Sequence, residues 1–301
     1  MTQWSWQPPS DSGITLRVQH ANGIDFELAE AGLQNSPDRL AICLHGFPEL
    51  NISWRDQMPL LAAHGWRVWA PNLRGYGATT RPEGVDAYHI DRLVEDIGAL
   101  IDASGAREVM IVAHDWGAII AWTFAIRRVR PIARLVIMNV PHPYVFRREL
   151  KLWRQRRPSW YIYFFQLPWL PEWFMARNNA RFIRAAFKNM AVDKSRFPRA
   201  LLDIYAAAAL RPGALTAMVN YYRSMARTGS YFNAGTGKVD VPVLMIWGEE
   251  DAALNIHCVD GTEDYCADFR LERLPGVSHW VQQEAPEKVN AILADWLGSD
   301  G

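Results

Sequence analysis

The stretch Val109-Met110-Ile111-Val112-Ala113-His114-Asp115-Trp116-Gly117-Ala118-Ile119-Ile120-Ala121-Trp122 constrains this chain more than any other. It opens as a short apolar run with β-branched residues, the pattern of a buried strand. It goes on as an Ala-rich apolar segment to Arg128, with cations in its last turn, the pattern of a helix. A strand that turns so abruptly into a helix needs small residues on both sides, and Ala113 and Gly117 supply them two positions before and after Asp115. This is the spacing of a nucleophile elbow, G-x-S-x-G, with a carboxylate in the nucleophile's slot. Such a turn lifts its side chain above the C-terminal end of a sheet, beside helix N-terminal amides that favour negative charge. The same residues also fit an aspartate that merely caps the helix starting at Trp116. Partners elsewhere in the chain have to decide.

Upstream, Gly13 to Gln19 and Gly23 to Ala29 alternate apolar and polar residues around Asn22-Gly23, a hairpin signal. Leu40-Ala41-Ile42-Cys43-Leu44 reads as a buried strand followed directly by His45-Gly46-Phe47-Pro48-Glu49. A Gly-x-Pro loop in that place fixes the backbone so that the amide of Phe47 can face a pocket. With the amide of Trp116 it would form a two-donor oxyanion hole, worth a few kcal/mol per donor. Arg67-Val68-Trp69-Ala70-Pro71 is the next strand. The loop after it holds Gly75 and Gly77, but a third glycine and an opening helix are missing, which excludes a dinucleotide fingerprint. Tyr88 to Ala103 carries apolar residues at helical spacing and ends before Gly105, a C-cap residue. Strands alternating with helices predict an α/β architecture with a mostly parallel sheet.

After the strand Leu135-Val136-Ile137-Met138-Asn139 the composition shifts at Pro141-His142-Pro143. From there to about Phe232 the chain is helical, aromatic and Arg-rich, and the strand pattern resumes only at Val243-Leu244-Met245-Ile246-Trp247. Residues 141–235 therefore read as a helical cap domain, or lid, inserted into a core made of residues 1–140 and 236–301. It would cover the sheet edge where open α/β folds bind ligands. The cluster Arg147, Arg148, Lys151, Arg154, Arg156 and Arg157 reads as a solvated helix face. Two aromatic segments, Trp160 to Pro168 and Met218 to Met225, would line an apolar pocket. Pattern alone leaves open which of their tyrosines turn inward.

Two loops complete the constellation. Asp251 lies past the tip of the penultimate strand, ahead of its competitors Glu249 and Glu250, and His279 lies in the loop after the last strand, Phe269 to Leu274. The chain order Asp115, Asp251, His279 is nucleophile, acid, base. Three separate loops converging on one sheet edge favour catalysis over a capping aspartate and a surface histidine. Lys plus Arg equals Asp plus Glu at 32 each over 301 residues, so no overall field draws nucleic acid or a membrane surface. Cys43, Cys258 and Cys266 have no metal-ligand spacing, and free thiols are favoured over a Cys258–Cys266 pair. With no signal core or membrane-length run, a cytoplasmic protein is expected, as a monomer or homodimer, with no metal and no cofactor.

The segments His45-Gly46-Phe47-Pro48-Glu49, His114-Asp115-Trp116-Gly117 and Asn139-Val140-Pro141-His142-Pro143, the two lid tyrosine segments and His279 resemble an α/β-hydrolase-fold epoxide hydrolase over nearly the whole chain. The resemblance implies that Tyr161, five residues before Gln166, and Tyr222, directly before Arg223, hold the epoxide oxygen. Tyr163 and Tyr221 are the neighbours most easily confused with them. Ala113 departs from the more usual glycine but is still small.

A carboxylate nucleophile suits displacement at a saturated carbon, giving an alkyl ester of Asp115. Water activated by His279, itself oriented by Asp251, would hydrolyse that ester while the amides of Phe47 and Trp116 hold the developing charge. Two phenols can donate to the alkoxide released on ring opening, and the product would be a vicinal diol. His45, Glu49 and His114 are expected as polar groups behind the site. The substrate expected is a small epoxide of apolar or aromatic character. A haloalkane dehalogenase resembles the chain at the elbow, including Trp116, but usually carries a second donor where Phe47 stands. A non-catalytic ligand receptor is the alternative of another class.

Overall fold

The computed structural model describes residues 6–233 and 235–298. Eight strands form one sheet in the order β1-β2-β4-β3-β5-β6-β7-β8. The hairpin joins β1 (Thr15–Ala21) to β2 (Ile24–Ala31). Asn22 and Gly23 both take positive φ, 50° and 69°, as a tight I′ turn requires. β2 also runs antiparallel to β4 (Arg67–Pro71). From there the sheet is parallel through β3 (Arg39–Leu44), β5 (Glu108–His114), β6 (Arg134–Met138), β7 (Val239–Gly248) and β8 (Cys266–Leu274). The residues of β5 from Val109 onward are buried, which suits a central strand covered on both faces. β7 and β8 extend several residues beyond their apolar cores, as a longer outer pair.

The flanking helices are α1 (Met58–Ala63), α2 (Ile90–Ser104) and α3 (Trp116–Arg127), with two more at the chain's end. In α2 the buried residues Ile90, Leu93, Val94, Ile97, Leu100 and Ile101 recur at three- and four-residue steps. Gly105 ends it in the left-handed region at φ 69°. Trp116 to Ile126 in α3 are all buried, so this helix has no polar face and sits against β5, β3 and β6.

Between β6 and β7 the described residues form helices and turns: α4 (Pro143–Glu149), α5 (Trp153–Arg156), α6 (Trp160–Phe164), α7 (Leu170–Met190), α8 (Arg199–Ala209) and α9 (Ala214–Thr228). α7 is broken at Arg177–Ala180, where Asn178, Asn179 and Ala180 take positive φ. The chain closes with α10 (Val281–Glu284) and α11 (Pro286–Gly298). All three cysteines are free thiols. Among the described residues no helix is long and apolar enough to cross a membrane.

Parallel register sets up the site. Leu44 is level with Ala113, His114 with Met138, Met138 with Ile246, and Gly248 with Leu274. The segments that follow these strand ends carry Phe47, Asp115, Asn139, Asp251 and His279, so they emerge along one edge of the sheet.

Candidate active site

Asp115 stands at the N-cap of α3 with φ 47° and ψ −121°, a conformation that costs a non-glycine residue about 1–3 kcal/mol. A capping aspartate would accept a hydrogen bond from the first turn, and Asp115 makes none. Its Oδ1 instead accepts from the Phe47 amide at 2.5 Å, and its Oδ2 lies 3.7 Å from His279 Nε2. The turn is as tight as the small residues around it anticipate. A Cβ on Gly117 would sit 2.2 Å from the carbonyl oxygen of Leu44, and one on Gly46 would sit 2.2 Å from the Asp115 Cβ.

The Phe47 amide is aimed by the far side of its own peptide. The Gly46 carbonyl accepts from Glu49 N at 2.9 Å and from His45 Nδ1 at 2.9 Å. A planar trans peptide then turns the Phe47 N–H the opposite way, toward Asp115. His45 Nε2 accepts from the Leu73 amide, which leaves the ring proton on Nδ1. Burial lowers the pKa of His45 to about 4, in keeping with a neutral ring.

Glu49 and His114 are fully buried behind this loop. Glu49 accepts from the Gly46 amide, from His114 Nδ1 at 2.8 Å, and from the side-chain amides of Gln282 and Gln283. Burial opposes its charge, but His114 and the Gly46 amide hold its carboxyl below the usual range. The other ring nitrogen of His114 meets the His279 carbonyl at 2.9 Å. This ring therefore links the Phe47 loop to the histidine loop.

His279 Nδ1 is 2.6 Å from Asp251 Oδ2. Each Asp251 oxygen is held further: Oδ2 accepts from Asn139 Nδ2 at 2.8 Å, and Oδ1 accepts from the amides of Ala253 and Leu254. Burial disfavours a charged His279, but Asp251 and Asp115 outweigh it and push its pKa up to about 10. Burial likewise works against a charged Asp115, yet His279, His114 and the Phe47 amide hold its carboxyl below the ordinary value.

A cavity of about 340 Å³ lies over Asp115 and His279, walled by Phe165, Phe182, Met190 and Trp280 and by the rings of Tyr161 and Tyr222. The two tyrosine rings stand edge to face at 5.9 Å. Burial and the nearby Asp115 carboxylate raise both phenol pKa values, so both remain protonated donors. The Trp116 indole packs on Tyr222 at 4.9 Å, and its N–H completes no standard hydrogen bond. Its backbone amide opens α3 directly after Asp115. Among the described residues no cluster of three or more His, Cys, Asp or Glu side chains is arranged to hold a metal.

Residues 42–286 match the α/β-hydrolase fold family. The AB hydrolase superfamily protein YfhM of Bacillus subtilis is 35% identical over 289 residues, covering 95% of this chain and 98% of that protein. Epoxide hydrolase 2 of Caenorhabditis elegans is 36% identical over 268 residues, covering 86% of this chain and 74% of that protein. Among solved structures, an epoxide hydrolase of Bacillus megaterium in complex with an inhibitor superposes with a TM-score of 0.84 at 30% identity, over 93% of this chain and 99% of that one. The chain belongs to the α/β-hydrolase-fold epoxide hydrolases.

Within this epoxide hydrolase fold the tyrosines that pattern alone could not sort differ plainly. Tyr163 stands in solvent, and Tyr221 is buried with its hydroxyl donated to the Arg74 carbonyl. Gln166 and Arg223 lace the two tyrosine-bearing helices together. Arg223 donates to the carbonyls of Phe165 and Leu167 and pairs with Glu172, while Gln166 donates to the carbonyls of Ile162 and Tyr222. Sequence reasoning assigned no role to Asn139. Its φ of 48° and its bonds to Gly248 N and Asp251 fix the Asp251 carboxylate against the end of β7. It also missed Glu284, which holds Ser278 beside His279 and accepts from the amides of Val192 and Asp193 in the helical insert. A buried Gln-Gln-Glu run so close to a loop histidine was the available signal.

Proposed function

We propose that this chain converts an epoxide to a vicinal diol through an alkyl ester on Asp115. The observation that carries the reading is the meeting, in one apolar cavity, of an uncapped and ionised Asp115 with two protonated phenols. Asp115 attacks an epoxide carbon, the C–O bond of the ring breaks, and the oxygen takes a proton from Tyr161 or Tyr222. The helices of 141–235 act as a cap over a core of 1–140 and 236–301 and supply both phenols.

In the resting enzyme His279 carries a proton and cannot act as a base. Esterification removes the negative charge of Asp115, and with it part of what holds that proton. The ring can then give that proton, through solvent, back to the phenolate that ring opening leaves, and accept one from water, while Asp251, fixed by Asn139, stabilises the cation that forms. Water attacks the ester carbonyl carbon, the amides of Phe47 and Trp116 receive the developing charge, and the acyl C–O bond breaks to release the diol. His45, Glu49 and His114 position that loop and the His279 backbone. The apolar walls favour an apolar or aromatic epoxide. A halide-releasing reaction would have the Trp116 indole as donor but no second one at Phe47, whose side chain is a hydrocarbon ring.

The test is an intercepted ester. His279→Gln, incubated with styrene oxide and then denatured, should yield an Asp115 peptide heavier by one styrene oxide. An unmodified peptide, or the adduct on another residue, refutes the covalent route through Asp115.

A further inference from the structure

Among the described residues, most of the large apolar side chains that stand exposed lie between residues 152 and 174 of the cap. Trp153, Trp160, Tyr163, Trp169, Trp173 and Phe174 all stand in solvent, Trp153 at 74% and Trp169 at 70% exposure. Several of them are linked. Phe164 bridges Trp160 and Phe174 at 5.9 and 5.8 Å, and the Trp173 amide donates to the Trp169 carbonyl across the first turn of α7. Isolated exposed apolar residues are ordinary, but a cluster of large ones marks an interaction site. Trp160, 56% exposed, also lines the cavity, so the patch continues into its mouth.

The same segment carries charge of one sign. Residues 141–177 hold seven Lys and Arg against two acids, in a chain with no net charge. Glu149 is buried and closed upon by Arg148 and Arg154, and Glu172 is paired with Arg223. Among the described residues the exposed Arg147, Lys151, Arg156 and Arg157 have no ion-pair partner. A second copy of the chain would set these cations against themselves and cover the cavity mouth. An anionic bilayer offers the opposite charge together with an interfacial layer in which indole rings are favoured.

We propose that this face of the cap docks on an anionic lipid surface, so that an apolar substrate passes from the bilayer directly into the cavity. Only the nature of what passes rests on the epoxide reading. The sequence reading took the cations of 147–157 as a solvated helix face and expected no membrane contact; the exposed indoles beside them are what favours docking instead.

Vesicle flotation tests it. The protein should float with equimolar phosphatidylglycerol and phosphatidylcholine, should not float with phosphatidylcholine alone, and should be released by added salt. Arg156→Gln with Arg157→Gln should weaken binding about thirtyfold, near fivefold per cation. Trp153→Ser with Trp169→Ser should weaken it by at least as much. None of these four residues lines the cavity, so both variants should keep the parent's melting temperature and, without vesicles, its turnover of styrene oxide. Absence of binding to anionic vesicles at low salt, or unchanged binding by either variant, overturns the proposal. So does sedimentation showing that the two tryptophans close a stable dimer. Loss of styrene oxide turnover by the parent would instead count against the epoxide reading and leave the vesicle result standing.

Discussion

Replacing Asp115 with asparagine reproduces, in size and charge, what ester formation would make of it. In the parent, His279 sits between two carboxylates, 2.6 Å from Asp251 and 3.7 Å from Asp115. Burial alone would lower its pKa, but the two carboxylates push it up to about 10. A unit charge pair at the 3.7 Å separation of His279 and Asp115 is worth about 4.5 kcal/mol at an effective dielectric near 20, or about three in pKa. Asp115→Asn should therefore bring the His279 pKa down to roughly 7. Nitrogen-15 NMR titration of the imidazole, assigned with His279→Gln, measures it directly. A parent pKa near the ordinary histidine value, or no drop in the variant, would refute the idea that the nucleophile's own charge keeps the base protonated until the ester forms. The sign carries over to stability. A histidine whose folded pKa is raised stabilises the fold fully below its unfolded pKa of about 6.5, and that contribution is lost as pH climbs toward the folded value. Parent stability should thus fall more steeply than that of Asp115→Asn as the pH rises from neutrality to about 10.

The phenols and the tight turn give two further outcomes. Tyr161→Phe and Tyr222→Phe should each lower the rate of ester formation about a hundredfold, and the double variant should lose about 10⁴ or more, as removal of general acids does. Stopped-flow or rapid-quench single turnovers measure this, and a double variant at the parent rate removes the tyrosines from ring opening. Gly46→Ala would put a Cβ 2.2 Å from that of Asp115. It should cost at least the roughly 1–3 kcal/mol of ordinary overpacking and slow ester formation as well. A variant that melts and alkylates like the parent contradicts the geometry of the elbow.

The elbow was legible because a parallel core strand and a buried helix both write long apolar patterns, leaving Asp115 as the only charge between them. The hairpin at Asn22-Gly23 and the loop placement of Asp251 and His279 were legible for related reasons, since turn chemistry and strand ends are local. Pattern alone did not separate the tyrosines, because Tyr221 and Tyr222 are neighbours on one helix; the choice of Tyr161 and Tyr222 came from the family resemblance. Only tertiary contacts turn one hydroxyl to the Arg74 carbonyl and the other ring to Asp115. Asn139 escaped because its partners, Gly248 and Asp251, lie more than a hundred residues away in sequence. The break in α7 escaped because Arg177 to Ala180 carry neither Gly nor Pro; the two asparagines tolerate the left-handed region, and were the only hint of it. The Arg-rich start of the insert read as a uniformly solvated face, whereas Arg148 and Arg154 close on a buried Glu149 that no periodicity reveals.

The most direct measurement is a single turnover of styrene oxide by excess enzyme in oxygen-18 water, followed by mass analysis of the diol and of the peptide containing Asp115. The account predicts an unlabelled diol, whose new hydroxyl comes from the carboxylate, and one heavy oxygen left on Asp115. Heavy oxygen in the first-turnover diol, with Asp115 unlabelled, would mean that water opens the ring directly and would contradict it.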